Sequence, residues 1–239
     1  MDAGSYERRR SEIETYFDRT AADAWSALTS DAPVSRIRQT VRAGRDEMRA
    51  TLLGWLPRDL AGLRLLDAGC GTGSFSIEAA RRGAEVVAVD LSPTLVDLAR
   101  ERQPGGLGPG RIDFRVGDMA ETTAGEAFDF AVAMDSVIHY DPRHAIDVLS
   151  RLAAQVRRGI LFTFAPRTPL LATLHAVGSL FPRGDRAPAI EPIAERRLYR
   201  DLAGAPGLGG WRRGRSHRVK SGFYTSQACE LLAGGTDTR

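Results

Sequence analysis

The stretch Leu65-Leu66-Asp67-Ala68-Gly69-Cys70-Gly71-Thr72-Gly73 decides how the rest of the chain is read. Its first residues close the apolar run LRLLDA (63–68), which reads as a strand, and residues 74–82 behind it read as a helix. Three glycines between a strand and a helix let a ligand lie against bare backbone at a helix start. Nucleotide cofactors of several kinds use such a turn, so the loop alone decides little. Its spacing decides more. A dinucleotide turn runs G-x-G-x-x-G, whereas here the third glycine comes one residue early and Ser74 holds the expected place.

Asp67 would set a carboxylate beside a pyrophosphate, an arrangement that disfavours an anion and favours a cationic amino-acid end. Asp90 stands 21 residues beyond Gly69, at the end of the run EVVAVD (85–90), where an acid accepts hydrogen bonds from ribose hydroxyls. One ribose, a positive amino-acid moiety and no phosphate describe S-adenosylmethionine.

Outward from the loop, the runs IDFRVG (112–117), FDFAVAM (128–134) and GILFTFA (159–165) read as further strands, with helices over 93–102 and 143–156. Several of these strands are apolar almost throughout, as strands covered on both faces must be. The alternation predicts an α/β fold with a parallel sheet wound by right-handed crossovers. Residues 1–60 read as two helices. The first carries the stripe Ile13, Tyr16, Phe17, Ala21, Ala24, Trp25 and Leu28; the second carries Val34, Ile37, Val41, Met48, Leu52 and Trp55, with Ser30 or Asp31 as its cap and Pro33 early in it. Residues 166–210 interrupt the alternation with an apolar helix (170–181), a loop and a helix (190–203), and read as a cap inserted on the sheet. Residues 211–239 hold WRRGRSHRV and SGFYTS, an antiparallel pair finishing the sheet. The organisation is therefore a lid (1–60), a cofactor-binding core (61–165), a cap (166–210) and closing strands (211–239).

Composition bounds the function. The chain has 239 residues, 43% of them hydrophobic, and 33 Lys+Arg against 30 Asp+Glu, which excludes disorder for most of its length. Lys220 is the sole lysine. A net charge of +3 spread along the chain argues against a dedicated nucleic-acid surface. The longest uncharged apolar stretch, 168–182, falls short of the roughly 20 residues that cross a bilayer. MDAGSYERRR lacks the apolar run of a secretory signal, and two cysteines make no disulfide framework, so a cytoplasmic protein is expected. His139, His144, His175 and His217 show no ligand spacing, and no protein-bound metal is expected.

The motifs DAGCGTG, VVAVDLS, VGDM (116–119) and FDFAVAMDSVIHY, in this order, resemble those of class I S-adenosylmethionine-dependent methyltransferases. The resemblance implies a Rossmann-like fold: a mostly parallel seven-stranded sheet with an antiparallel terminal strand, under an N-terminal helical lid and a small helical cap. It implies that Asp67, Gly69, Gly71 and Gly73 hold the methionine end, Asp90 the ribose, and Asp118 with Met119 the adenine, with Leu91 also in the cofactor set. Asp135, past the fourth strand, joins the cofactor set, and Arg42 is expected to pair with the methionine carboxylate. YFDRTAADAW (16–25), VSRIRQTVRAGRDEMRATLLGWLP (34–57), LFPRGDRAP (180–188) and SGFYTS (221–226) resemble the magnesium-protoporphyrin O-methyltransferases of (bacterio)chlorophyll synthesis. That family esterifies one propionate of the metalloporphyrin, and the magnesium belongs to the substrate. The resemblance implies His139 as the residue positioning the carboxylate and Tyr16 as a second catalytic candidate. Tyr140, Thr29, Arg183 and Arg186 are expected toward the porphyrin, Thr29 standing where oxygenic members tend to carry a tyrosine. It also implies docking on the porphyrin-binding subunit of magnesium chelatase and at most peripheral attachment to a photosynthetic membrane. A quinone precursor as acceptor, or a nucleotide-binding module without chemistry, are the competing readings.

Overall fold

The computed structural model describes residues 3–16, 18, 29, 33–167 and 190–234. Seven strands form one sheet: β1 (Arg64–Ala68), β2 (Glu85–Asp90), β3 (Arg111–Val116), β4 (Phe128–Ala133), β5 (Val156–Phe164), β6 (Trp211–Ser221) and β7 (Tyr224–Ala233). Their order is β3-β2-β1-β4-β5-β7-β6, and β7 alone runs opposite to the other six. The central strands β1, β2, β4 and β5 are buried on both faces, which is why they read as near-continuous apolar runs. The chain leaves β1 in one direction to pair with β2 and in the other to pair with β4. A crevice opens at that switch point, beyond the carboxyl ends of the two strands.

Six helices accompany the sheet among the described residues: α1 (Ala3–Thr15), α2 (Arg36–Trp55), α3 (Ser74–Arg81), α4 (Pro93–Arg102), α5 (Pro142–Ala153) and α6 (Glu195–Ala203), with a 3₁₀ turn at Val137–His139. Their starts follow local chemistry. The Ser92 hydroxyl accepts from the Leu95 N–H ahead of Pro93, and the Asp141 carboxylate accepts from Arg143 and His144 N–H ahead of Pro142. Each pairing satisfies donors that a first turn leaves open, and each proline sits where its missing N–H costs nothing.

Four expectations change. The second helix is capped by Ser35 rather than Ser30 or Asp31, and begins at Arg36, because residues 33–35 run non-helically past Pro33 and the Ser35 hydroxyl accepts from the Arg38 N–H. Ile37, assigned to its packing face, is 55% exposed, while Gly44, Met48, Leu52 and Leu53 do the packing. The helix expected to Val156 stops at Ala153, since Gln155 O accepts from Phe128 N–H and Val156 opens β5 beside β4. Residues 190–194 are not helical. Ile193 bridges Pro166 in parallel and returns the chain to the end of β5 before α6 begins. Phe17, Ala21, Ala24, Trp25 and Leu28 of the first stripe, and the cap segment 168–189 with Arg183 and Arg186, lie outside the described residues.

Candidate active site

A cavity of about 260 Å³ occupies the switch-point crevice. Its floor is the β1–α3 loop, its walls are the ends of β2 and β4, and α2 closes it from above. The loop glycines make this geometry possible. Gly69 has φ +87°, and a Cβ there would lie 2.3 Å from Ser136 Cβ, so no other residue lets the β1 and β4 loops come together. Gly69 and Cys70 N–H donate to Val89 O, which fastens the loop to β2.

Both acids read from the sequence line this cavity. Asp67 is 2% exposed and accepts from the Ser76 hydroxyl at 2.5 Å. Burial, reinforced by the charge of Asp90 against the opposing Ser76 bond, pushes its carboxyl up to about 7. Asp90 accepts from Gly71 N–H at 2.8 Å and Ser92 N–H at 3.0 Å; burial raises it too, although these backbone donors resist. Two adjacent carboxyl groups that resist ionisation in the empty cavity gain from a ligand end bearing positive charge, whereas a phosphate would hold neither of them ionised. Burial also pushes the Cys70 thiol well up, so it is no ready nucleophile there.

The other expected residues divide. Gly71, Leu91, Met119, Asp135, His139, Tyr140, Arg42 and Thr29 all border the cavity. His139 and Tyr140 are buried, the former on the 3₁₀ turn after β4 with its carbonyl accepting from Arg9 Nε at 2.7 Å. Thr29 is engaged by Arg102, which donates to its hydroxyl at 2.8 Å. Gly73, Asp118 and Tyr16 do not border it. Gly73 instead caps α3 at φ +75° and admits the Phe114 ring, which a Cβ would approach to 2.9 Å. The Asp118 oxygens are occupied by Tyr6 Oη at 2.6 Å and Ala120 N–H at 2.8 Å, so this acid ties α1 to the β3 loop. Tyr16 is half-buried at the end of α1, where burial raises its phenol.

Arg45, Asp46 and Arg49 of α2 also line the cavity, and no sequence motif singles them out. With Arg42 they follow steps of three and four, a helical period that the polar residues of α2 share with its apolar ones. Among the described residues, no three of His, Cys, Asp and Glu are grouped to hold a metal ion.

Two family models match the chain: one described as a methyltransferase domain over residues 65–159, and one described as the magnesium-protoporphyrin IX methyltransferase C-terminus over residues 133–233. The magnesium-protoporphyrin O-methyltransferase of Rhodobacter capsulatus is 47% identical over 94% of this chain and 97% of its own length. The chain belongs to the magnesium-protoporphyrin O-methyltransferase family. It thereby joins the class I S-adenosylmethionine-dependent methyltransferases, and the sheet order agrees with that fold. A crystal structure of the Synechocystis magnesium protoporphyrin IX methyltransferase with bound S-adenosylhomocysteine superposes with a TM-score of 0.82 at 29% identity, covering 94% of this chain and 99% of that one. The ubiquinone biosynthesis O-methyltransferase of Xanthomonas oryzae is 38% identical, over 53% of this chain and 55% of its own length.

Proposed function

We propose that the protein transfers a methyl group from S-adenosylmethionine to one propionate carboxylate of magnesium protoporphyrin IX, giving the 13-monomethyl ester in (bacterio)chlorophyll synthesis. The observation that carries this reading is one cavity bordered by Asp67, Asp90 and His139, in a chain aligned almost end to end with a porphyrin methyltransferase.

The residues present fit S-adenosylmethionine. The paired acids favour its cationic amino-acid end, Asp90 stands at the strand end for ribose hydroxyls, and Met119 and Leu91 offer apolar contact for a base. When bound, that cofactor supplies a methyl group on a positively charged sulfur. The acceptor needs little activation, because a propionate with a pKa near 4–5 is already ionised at neutral pH. The chain's task is therefore to hold and to desolvate. Reacting groups kept in line at about 3 Å gain most of what catalysis can offer here. His139, at the cavity wall on a turn fixed through its own carbonyl, is the residue that orients the carboxylate. Tyr140 beside it walls the cavity, and Thr29 contributes a small hydroxyl that Arg102 holds in place. Arg42 from α2 serves the methionine carboxylate.

The magnesium arrives with the substrate. An apolar plate with anionic arms suits delivery by the porphyrin-binding subunit of magnesium chelatase, with the enzyme in the cytoplasm and at most peripheral on a photosynthetic membrane. No helix among the described residues is long and apolar enough to cross a membrane. A quinone precursor is the weaker acceptor, because the likeness to ubiquinone methyltransferases stops at about half of the chain. Mass spectrometry after incubation with S-adenosylmethionine and magnesium protoporphyrin IX should show one added methyl; an unmodified porphyrin beside a methylated catechol would reverse the choice.

A further inference from the structure

The tip of the last hairpin carries an apolar surface with a cationic rim. Phe223 and Ile37 are the most exposed large apolar side chains among the described residues, at 63% and 55%. Both rest on Thr40, because the β6–β7 turn is seated on the start of α2. Gly222 has φ +55°, and a Cβ there would lie 2.4 Å from Thr40 Oγ1, so glycine lets the turn reach the helix. Thr40 Oγ1 accepts from Phe223 N–H at 3.4 Å and donates to Ile37 O at 2.8 Å. The phenylalanine ring is therefore held out in solvent on fixed backbone. Cations surround the pair. Arg36 and Arg38 flank Ile37, Lys220 precedes the turn, and all three are exposed. None of the three has an ion-pair partner among the described residues. Residues 33–45 and 211–229 hold no Asp or Glu, although the whole chain is nearly balanced, with 33 basic residues against 30 acidic.

This tip lies at the end of the sheet where the cavity opens. β7 pairs antiparallel with β5 up to Phe164 and Gln227, so Tyr224 and the turn before it run past the carboxyl end of β5. There the Tyr224 hydroxyl donates to Asp135 Oδ1 at 3.0 Å, and Asp135 borders the cavity. Apolar side chains grouped in solvent mark a surface that something covers. A second copy of this chain would set one cationic rim against another. An anionic bilayer answers both halves of the patch, because its phosphates meet the guanidinium and ammonium groups while Phe223 and Ile37 enter the boundary of the acyl chains. We propose that Ile37 and Phe223, ringed by Arg36, Arg38 and Lys220, dock the protein on a bilayer surface rich in anionic lipid, with the cavity mouth turned toward the membrane. The docking face stands without the methyltransferase reading. Only its use, taking up an apolar porphyrin from the membrane, rests on that reading.

Sedimentation with vesicles tests this on the full chain, without porphyrin or turnover. The wild type should bind vesicles of phosphatidylglycerol and phosphatidylcholine in equal parts about tenfold more tightly than phosphatidylcholine alone, and about 0.5 M NaCl should remove the difference. Phe223→Ser should lower binding to the anionic vesicles about tenfold, and Arg38→Gln or Lys220→Gln about fivefold each. All three variants should melt with the wild type and bind S-adenosylhomocysteine as it does, since each change falls on an exposed side chain. Phe223→Trp views the contact directly: its added emission should move to shorter wavelength with anionic vesicles and stay in place with neutral ones. Wild-type protein that sediments equally with both kinds of vesicle, or with neither, overturns the proposal. So does Phe223→Ser binding as tightly as the wild type, because charge alone would then hold the protein and any polyanion, an acidic protein included, would serve. Vesicle docking by a wild type that binds no S-adenosylhomocysteine would sink the methyltransferase reading and leave the docking face standing.

Discussion

Asp67 carries the clearest consequence of burying a single group. Its folded pKa of about 7 lies well above the value of about 4 that an exposed aspartate shows in an unfolded chain. The ligand-free fold therefore holds this proton more tightly than the unfolded chain does. The resulting stability is fully present below about pH 4 and is lost as pH rises through about 7. A cationic ligand end reverses the balance, because it favours the ionised acid and drives the proton off. S-adenosylhomocysteine should bind about tenfold more tightly at pH 8 than at pH 6, with proton release visible by calorimetry in buffers of different ionisation enthalpy. Asp67→Asn should flatten that profile and, without ligand at pH 8, melt above the wild type; a flat wild-type profile would remove the assignment. Asp90 differs in kind, since its oxygens already hold the Gly71 and Ser92 N–H groups. Asp90→Ala should weaken S-adenosylhomocysteine by tenfold or more and also cost about 1–3 kcal/mol of stability, as read by denaturant melts. Both acids were legible in the sequence because their offsets from the glycines are set by the strand–turn–helix itself. Arg45 was not, because nothing in its neighbourhood marks it apart from many other arginines until α2 is seated on the sheet.

At the scale of elements, α1 works by leaning on the loop that carries His139. The Tyr6 hydroxyl donates to Asp118 at 2.6 Å, its ring stacks on Tyr140 with centroids 5.7 Å apart, and Arg9 grips the His139 carbonyl. Burial, with the neighbouring Tyr140 and Asp118, raises the Tyr6 phenol so that it stays a donor at any physiological pH. Tyr6→Phe removes one hydrogen bond to a charged group and leaves Asp118 with the Ala120 N–H. The change should cost about 1–2 kcal/mol in a thermal or denaturant melt. It should lower kcat more than affinity for S-adenosylhomocysteine, because α1 steadies the His139 turn rather than the loop of Asp67. Equal losses in both would mean that α1 supports the whole cavity. The helical period of this segment was readable, but its attachment was not. Asp118 reads as an adenine contact from its place after β3, and the arrival of Tyr6 from 112 positions away adds a tie to α1 that the sequence does not announce.

Across the whole molecule, the order of strands one to five follows from their alternation with helices, whereas the place of the last two does not. The run WRRGRSHRV reads as one of an antiparallel pair finishing the sheet, and the pair is there, but its second member, β7, slips between β5 and the edge strand β6. The contact that locks this arrangement depends on an irregularity no pattern announces. The register of β6 against β7 shifts between Arg213 and Ser216, and Gly214 leaves room where a Cβ would lie 2.4 Å from Glu230. Arg215 donates to both oxygens of the buried Glu230, donates to the Trp55 carbonyl at 2.6 Å and lies over the Trp55 ring. One side chain thus joins the last hairpin to the end of α2, the helix that roofs the cavity. Burial alone would raise the Glu230 carboxyl, but the hydrogen bonds and charge of Arg215 outweigh it and hold the carboxyl below the usual range. A depressed pKa contributes stability that is fully present above the unfolded value, near 4.3, and is lost as pH falls through the lower folded value. Arg215→Ala should therefore destabilise the protein by about 1–3 kcal/mol at pH 7 by stranding a buried acid. Its melting temperature should converge on that of the wild type as pH is lowered toward 4, where Glu230 can take up a proton instead. A gap that stays constant from pH 8 to pH 4 would mean that the stabilisation comes from packing on Trp55 rather than from the ion pair.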